Sequence, residues 1–126
     1  MTADTKRHIR CEDLKCYKAT LDMLVYATQL LNHMPRELRY TLGHRTIEDI
    51  HGIMRGIYRT FYADEERKRE SLDRALDSMV DVMADCRVMY ALRMYNDNVN
   101  MHLAEQVATT DTNLSKWRNS LRKNAR

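Results

Sequence analysis

One proline, three glycines and one tryptophan in 126 residues leave this chain with almost no punctuation. A β-sandwich or barrel needs turn signals at regular short intervals, and those are missing. The glycines, at positions 43, 52 and 56, form neither GxGxxG nor GxxxxGK, so no loop is built to cradle a nucleotide's phosphates. No apolar run approaches the ~20 residues that cross a bilayer, so no membrane partner is expected. The opening stretch, MTADTKRHIRCED, is basic without an apolar run behind it, so no secretory signal is expected. Cysteine is scarce and odd in number. Cys11, Cys16 and Cys86 cannot all pair within one chain, and the step from Cys11 to Cys16 fits neither a zinc knuckle nor a redox pair. Cys86 falls on an apolar stripe, where a thiol is an ordinary small hydrophobe. A reducing, cytoplasmic setting is the expectation. Nor does one sign of charge dominate: 21 Lys and Arg oppose 18 Asp and Glu. Where the charges sit therefore matters more than their sum.

What is present is helical periodicity. At this length a single domain is expected, with residues 1–11 a flexible arm and 12–126 the folded part, ending in a basic tail. Leu14, Tyr17, Leu21, Leu24, Thr28 and Leu31, widened by Val25 and Met34, step by three and four, predicting a first helix over 12–34. Pro35 disfavours α conformation at Met34, so Met34 to Arg45 reads as the one firm turn. Thr46 is the expected cap of a second helix, with Glu48 and Asp49 near its positive end. Its buried face reads Ile47, Ile50, Met54, Ile57, Phe61. Asp64 caps a third helix reaching Tyr95, buried through Leu72, Ala75, Met79, Val82, Cys86 and Met89. The cluster Asn96 to Asn100 is turn chemistry. A fourth helix buries Val99, Leu103, Val107, Thr110, Leu114, Trp117 and Leu121, with a bend or frayed turn expected across Thr109 to Asn113. The fold class predicted is all-α, an antiparallel up-down four-helix bundle.

Such a bundle invites a di-metal centre, which needs a Glu-x-x-His pair from each of two helices. Glu48 and His51 supply one, while His102 and Glu105 run in the reverse order, so no metal site is assigned. No serine or cysteine has a companion His and acid in a recognisable motif. No catalytic residue and no cofactor are therefore expected.

The basic residues are more informative. The tail, Lys116 to Arg126, carries Lys116, Arg118, Arg122 and Lys123 with no acid, and the turn adds Arg36, Arg39 and Arg45. Arg55 and Arg59 follow on the second helix, on the face opposite its apolar stripe. Together they suit the phosphate backbone of RNA or DNA, bound without base reading. Gly52 and Gly56 lie one turn apart and invite close approach by another backbone, either a partner's or a neighbouring helix of the same bundle. Asp73, Asp77, Asp81 and Asp85 repeat every four residues as an acidic ridge. Arg69 and Arg74 can serve Asp73 and Asp77, which leaves Asp81 and Asp85 less well served, either as an ordinary solvated face or as a face that docks a basic protein surface. Spread over about 18 Å, the four carboxylates cannot surround one ion.

The order of features resembles a known family. Pro35 and Arg36, then Leu42, Gly43 and Arg45, the helix through Ile57 and Tyr58, the Arg and Leu register of Leu72 to Arg93, and Trp117 are similar to the accessory variability determinant proteins of diversity-generating retroelements. These are related to the four-helix proteins of intervening sequences in large-subunit ribosomal RNA genes, which stand as the alternative reading. The likeness spans Leu14 to Leu121. It implies a non-enzymatic homopentamer that binds nucleic acid through basic surfaces and associates with a reverse transcriptase during mutagenic copying of a template RNA. Two departures stand out: a modest net charge and a markedly acidic third helix.

Overall fold

A computed structural model of the chain describes residues 9–124, with side chains through residue 121. The arm residues 1–8 and the side chains of Arg122 and Lys123 lie outside the described residues. A 3-10 turn, Cys11–Asp13, leads into α1 (Lys15–Leu31). Then come a single turn α2 (Arg36–Leu38), a π-helical segment (Arg39–Gly43), and α3 (His44–Tyr62), α4 (Glu65–Ala91) and α5 (Asp97–Asn124). The described residues contain no strand. Four long helices pack in a ring of neighbours: α3 on α4, α4 on α5, and α1 on both α3 and α5. Cys11, placed in the arm by the sequence, is fully buried in the core, so packing begins no later than that residue.

The expected turn from Met34 to Arg45 is mostly helix. Only Asn32 to Pro35 break the chain, because Pro35 restricts the residue before it and leaves those after it free. Pro35 itself is extended at the N-cap of α2, where an amide N–H would have no helical partner anyway. Its carbonyl accepts from the Arg39 N–H at 2.9 Å, closing the first turn. Gly43 has ordinary helical dihedrals and is buried against α1: a Cβ there would lie 2.2 Å from Leu31 Cδ2. Thr46 is consequently an interior residue and no cap. It is buried, and its hydroxyl donates to the Leu42 carbonyl at 2.9 Å.

Periodicity placed the helices well, but hydrophobicity misjudged the phase of α1. Its buried residues are Cys16, Thr20, Met23 and Ala27, while Leu21 and Val25 remain 40% and 49% exposed. The residues facing inward are mostly small, which lets backbones come close. The same choice recurs elsewhere: Thr20, Thr46, Thr60 and Thr110 are all buried, and each hydroxyl donates to the carbonyl four residues earlier at 2.7–2.9 Å. A helix thus satisfies a core threonine locally, at no cost in interhelical partners. On α3, Ile53, Gly56 and Thr60 join Ile50 and Ile57 in the core, while Ile47, Met54 and Phe61 are half-buried.

α4 matches its expected stripe through Leu72, Ala75, Met79, Val82 and Met89, with one exception: Asp85 is buried and Cys86 only partly so. Asp64 caps it as expected, accepting from the Arg67 N–H at 3.1 Å. The helix stops at Ala91, four residues before Tyr95. There the Arg93 N–H donates to the Tyr90 carbonyl and the Met94 N–H to that of Met89, at 2.9 and 3.0 Å, the paired bonds of a Schellman turn. Arg93 takes the left-handed conformation, φ 58°, that glycine adopts without steric cost. Arg93→Gly should therefore raise stability by about 0.5–1 kcal/mol, offset in part by loss of the guanidinium's stack on Tyr90. A higher urea midpoint with unchanged slope is the expected reading. α5 begins with Asn96 accepting from the Val99 N–H at 2.9 Å and runs unbroken through Thr109 to Asn113. No bend or frayed turn interrupts it, since Thr110 and Leu114 are fully buried against the other helices.

Candidate nucleic-acid interface

The positive charges expected to meet phosphate do not share one fate. Arg45, Arg55 and Arg59 all project into solvent from α3, on the side away from Ile50, Ile53 and Ile57. Arg55 is loosely paired with Glu48 at 3.7 Å, both well exposed, a contact weak enough for phosphate to displace. Arg36 is exposed, with its guanidinium 6.0 Å from the Tyr40 ring centroid. Lys116 is exposed on α5.

Two assigned arginines are otherwise engaged. Arg39 is half-buried and donates from Nη2 to the Met34 carbonyl at 3.2 Å, so it holds the corner between α1 and α2. Arg118 sits 2.7 Å from Asp73, both side chains part-exposed, and ties α5 to α4. That contact also corrects the acidic ridge: Asp73 is served from α5 rather than by Arg69, and Arg74 pairs with Glu70 at 2.8 Å instead of Asp77.

The glycines do not form a partner surface. A Cβ on Gly56 would lie 2.6 Å from Ala75 Cβ and 3.0 Å from its Cα, and one on Gly52 would lie 2.7 Å from Ser78 Oγ. The backbone they admit is α4 of the same chain. Packing inside the bundle, the other reading of that spacing, is the correct one.

Asp85 also leaves the outer surface. Only 7% exposed, it faces Asp49 and Arg45 of α3, and its Oδ2 is buried with no hydrogen-bond partner among the described residues. Burial and the neighbouring carboxylates of Asp49 and Asp81 push its carboxyl up to about 7, against the opposing pull of Arg45. A partner's basic side chain cannot reach it. Asp81 remains exposed.

The cysteines are chemically quiet: all three are free, and burial pushes Cys16 and Cys86 up to about 11 and raises Cys11 as well. Among the described residues no three His, Cys, Asp or Glu side chains converge as metal ligands, and no helix is long and apolar enough to cross a membrane. What sequence reasoning missed lies at the α3–α4 corner. Tyr17, Tyr58 and Tyr62 form a series, edge-on at 5.5 Å and then stacked at 6.4 Å, and the Lys68 ammonium donates to the Thr60 and Phe61 carbonyls at 3.1 and 3.4 Å. The spacing of Tyr58 and Tyr62, one turn apart, was the available signal. No model of a protein family matches this chain, and no curated protein matches it significantly.

Proposed function

We propose that this chain is a non-enzymatic accessory protein of a diversity-generating retroelement, an antiparallel up-down bundle that binds nucleic acid and a reverse transcriptase. The observation that carries the reading is the row of Arg45, Arg55 and Arg59, exposed along one helix whose other side is core. Arginine is suited to this work because its planar fork donates two hydrogen bonds to one phosphate. With Arg36 and Lys116 these residues would neutralise a backbone without reading bases, and so hold template RNA or its cDNA in a sequence-independent way. Ring assembly, a pentamer by the family resemblance, is no longer motivated by the glycines. Leu21 and Val25, exposed four residues apart on α1, offer the apolar surface an interface between copies needs. Of the acidic ridge, Asp77 and Asp81 remain exposed for a basic surface of the polymerase. A reducing, cytoplasmic setting accords with three buried or part-buried free thiols.

Titration of labelled RNA and DNA across a range of salt tests the binding. Log affinity should fall linearly with log salt, and Arg45→Ala, Arg55→Ala, Arg59→Ala together should flatten the slope by about two to three, alike for every sequence. Affinity indifferent to salt would defeat the phosphate reading. Co-purification with a reverse transcriptase encoded beside the gene, near a variable repeat, distinguishes the retroelement role from the ribosomal intervening-sequence alternative.

A further inference from the structure

Where α3 hands over to α4, the surface is hollowed into an open groove of about 670 Å³, lined by Arg59, Tyr62, Arg67, Glu70, Ser71 and Arg74. Tyr62 is 70% exposed, the most exposed large side chain among the described core-type residues. A lone exposed tyrosine at a helix end is unremarkable. This one is held in place: its ring stacks at 12° to that of Tyr58 and meets Phe61 edge-on at 4.9 Å. Tyr58 is itself braced by Tyr17, and Lys68 fastens the end of α3 through two carbonyls. The ring is therefore presented to solvent with little freedom left to lose on binding.

The charges around it are arranged for an anion. Of the two acids in the groove, Asp64 is occupied as the cap of α4 and Glu70 pairs with Arg74 at 2.8 Å. Arg59 and Arg67 are exposed and have no carboxylate within ion-pair distance among the described residues. Guanidinium groups beside a flat, fixed and exposed aromatic ring match two parts of one ligand, a phosphate and an unstacked base. In a duplex the base faces are covered by their neighbours, so only a single strand can use both parts.

We propose that this groove is a single-strand site, in which one base stacks on Tyr62 while the flanking phosphates meet Arg59 and Arg67. It deepens the nucleic-acid reading above, on which it rests, by naming the form of nucleic acid and adding Tyr62 and Arg67 to the binding residues. RNA and DNA single strands share this chemistry.

The test uses the full chain and three labelled probes of about ten nucleotides, a length typical of small single-strand sites: oligouridylate, oligothymidylate and a blunt duplex. Tyr62→Ala should weaken both single-strand probes about tenfold and leave the duplex unchanged, while Tyr62→Trp keeps or strengthens single-strand binding. Arg59→Ala with Arg67→Ala should weaken the single strands and flatten their salt slope by about two. Loss confined to oligouridylate or to oligothymidylate would assign the site to RNA or to DNA and still support it. Equal loss on duplex and single strands, or no loss from Tyr62→Ala, overturns the groove while leaving the α3 arginine row standing. Failure of the parent chain to bind any probe at low salt overturns both.

Discussion

Gly56→Leu should unfold the bundle rather than dissociate an assembly. An alanine Cβ at this position already lies 2.6, 3.0 and 3.2 Å from the Cβ, Cα and N of Ala75, distances at which one helix has to move off the other. Two of those three atoms are backbone, so no rotamer change relieves the clash. Overpacking of this kind costs about 1–3 kcal/mol, and replacing a mid-helix glycine by alanine returns about 1 kcal/mol. Gly56→Ala should accordingly lose up to about 2 kcal/mol, and leucine considerably more, against a total of roughly 5–15 kcal/mol for a domain. Gly52 provides the contrast. Its Cβ would meet the Ser78 hydroxyl, which can rotate away, and Ser78 Cβ at 3.3 Å, a mild strain that the gain of about 1 kcal/mol in helix propensity offsets, so Gly52→Ala should be close to neutral. Adding Ala75→Gly to Gly56→Ala removes the nearest clashing atom and should recover part of the loss, a coupling that a double-mutant cycle measures. Urea unfolding followed by circular dichroism reads these variants together with Ala75→Gly alone, which completes the cycle. A Gly56→Leu protein of undiminished stability but smaller mass by light scattering would restore the glycines to an interface between copies.

Why the sequence disclosed the helices but misplaced several functional residues follows from particular positions. Helical periodicity depends on spacing alone, and the spacing in α4 and α5 is regular enough that nearly every core residue there was identifiable. Phase is a different matter. On α1 the larger hydrophobes Leu21 and Val25 outscore Cys16, Thr20 and Ala27, yet close packing with α3 and α5 selects the small residues. Asp85 shows the same failure with opposite sign. It lies three residues after Val82 and four before Met89, squarely on the buried stripe, and was passed over for Cys86 only because it is charged. The Met34 to Arg45 stretch misled because proline marks where a helix cannot continue and equally where one can begin. For the basic residues, sequence gave exposure for Arg45, Arg55 and Arg59 through the helical angle. It had no means to see that Met34 and Asp73 occupy Arg39 and Arg118, since those contacts join residues around a corner or across helices.

Stability should fall as pH rises from about 4 to about 7, and Asp85→Asn should abolish most of that fall. In the folded chain the Asp85 carboxyl is raised to about 7, first by burial and then by the neighbouring Asp49 carboxylate, while in the unfolded chain it titrates near 3.9. Because the folded pKa is the higher one, the folded state holds the extra proton between those values. Stability is full below the unfolded pKa, drops by at most about 1.4 kcal/mol per pH unit through the window, and levels off above the folded one. Asp85 carries the shift, facing the Asp49 carboxylate across the α3–α4 interface. The charged groups acting on Asp85 are Asp49 and Arg45 on α3 and Asp81 on its own helix; only Arg45 opposes the rise. Asp13 behaves in the reverse sense, since the Arg10 backbone N–H at 3.0 Å holds its carboxyl below the usual range, but its effect lies under pH 4. Asparagine at position 85 keeps a donor toward Asp49 without a titrating proton. Asp85→Asn should match the parent near pH 4 and exceed it by roughly 1–3 kcal/mol at pH 8. Arg45→Ala removes the one opposing charge and should move the fall to higher pH and deepen it. Urea unfolding at several pH values checks both, and a parent chain equally stable at pH 5 and pH 8 would mean that burial does not raise the Asp85 carboxyl.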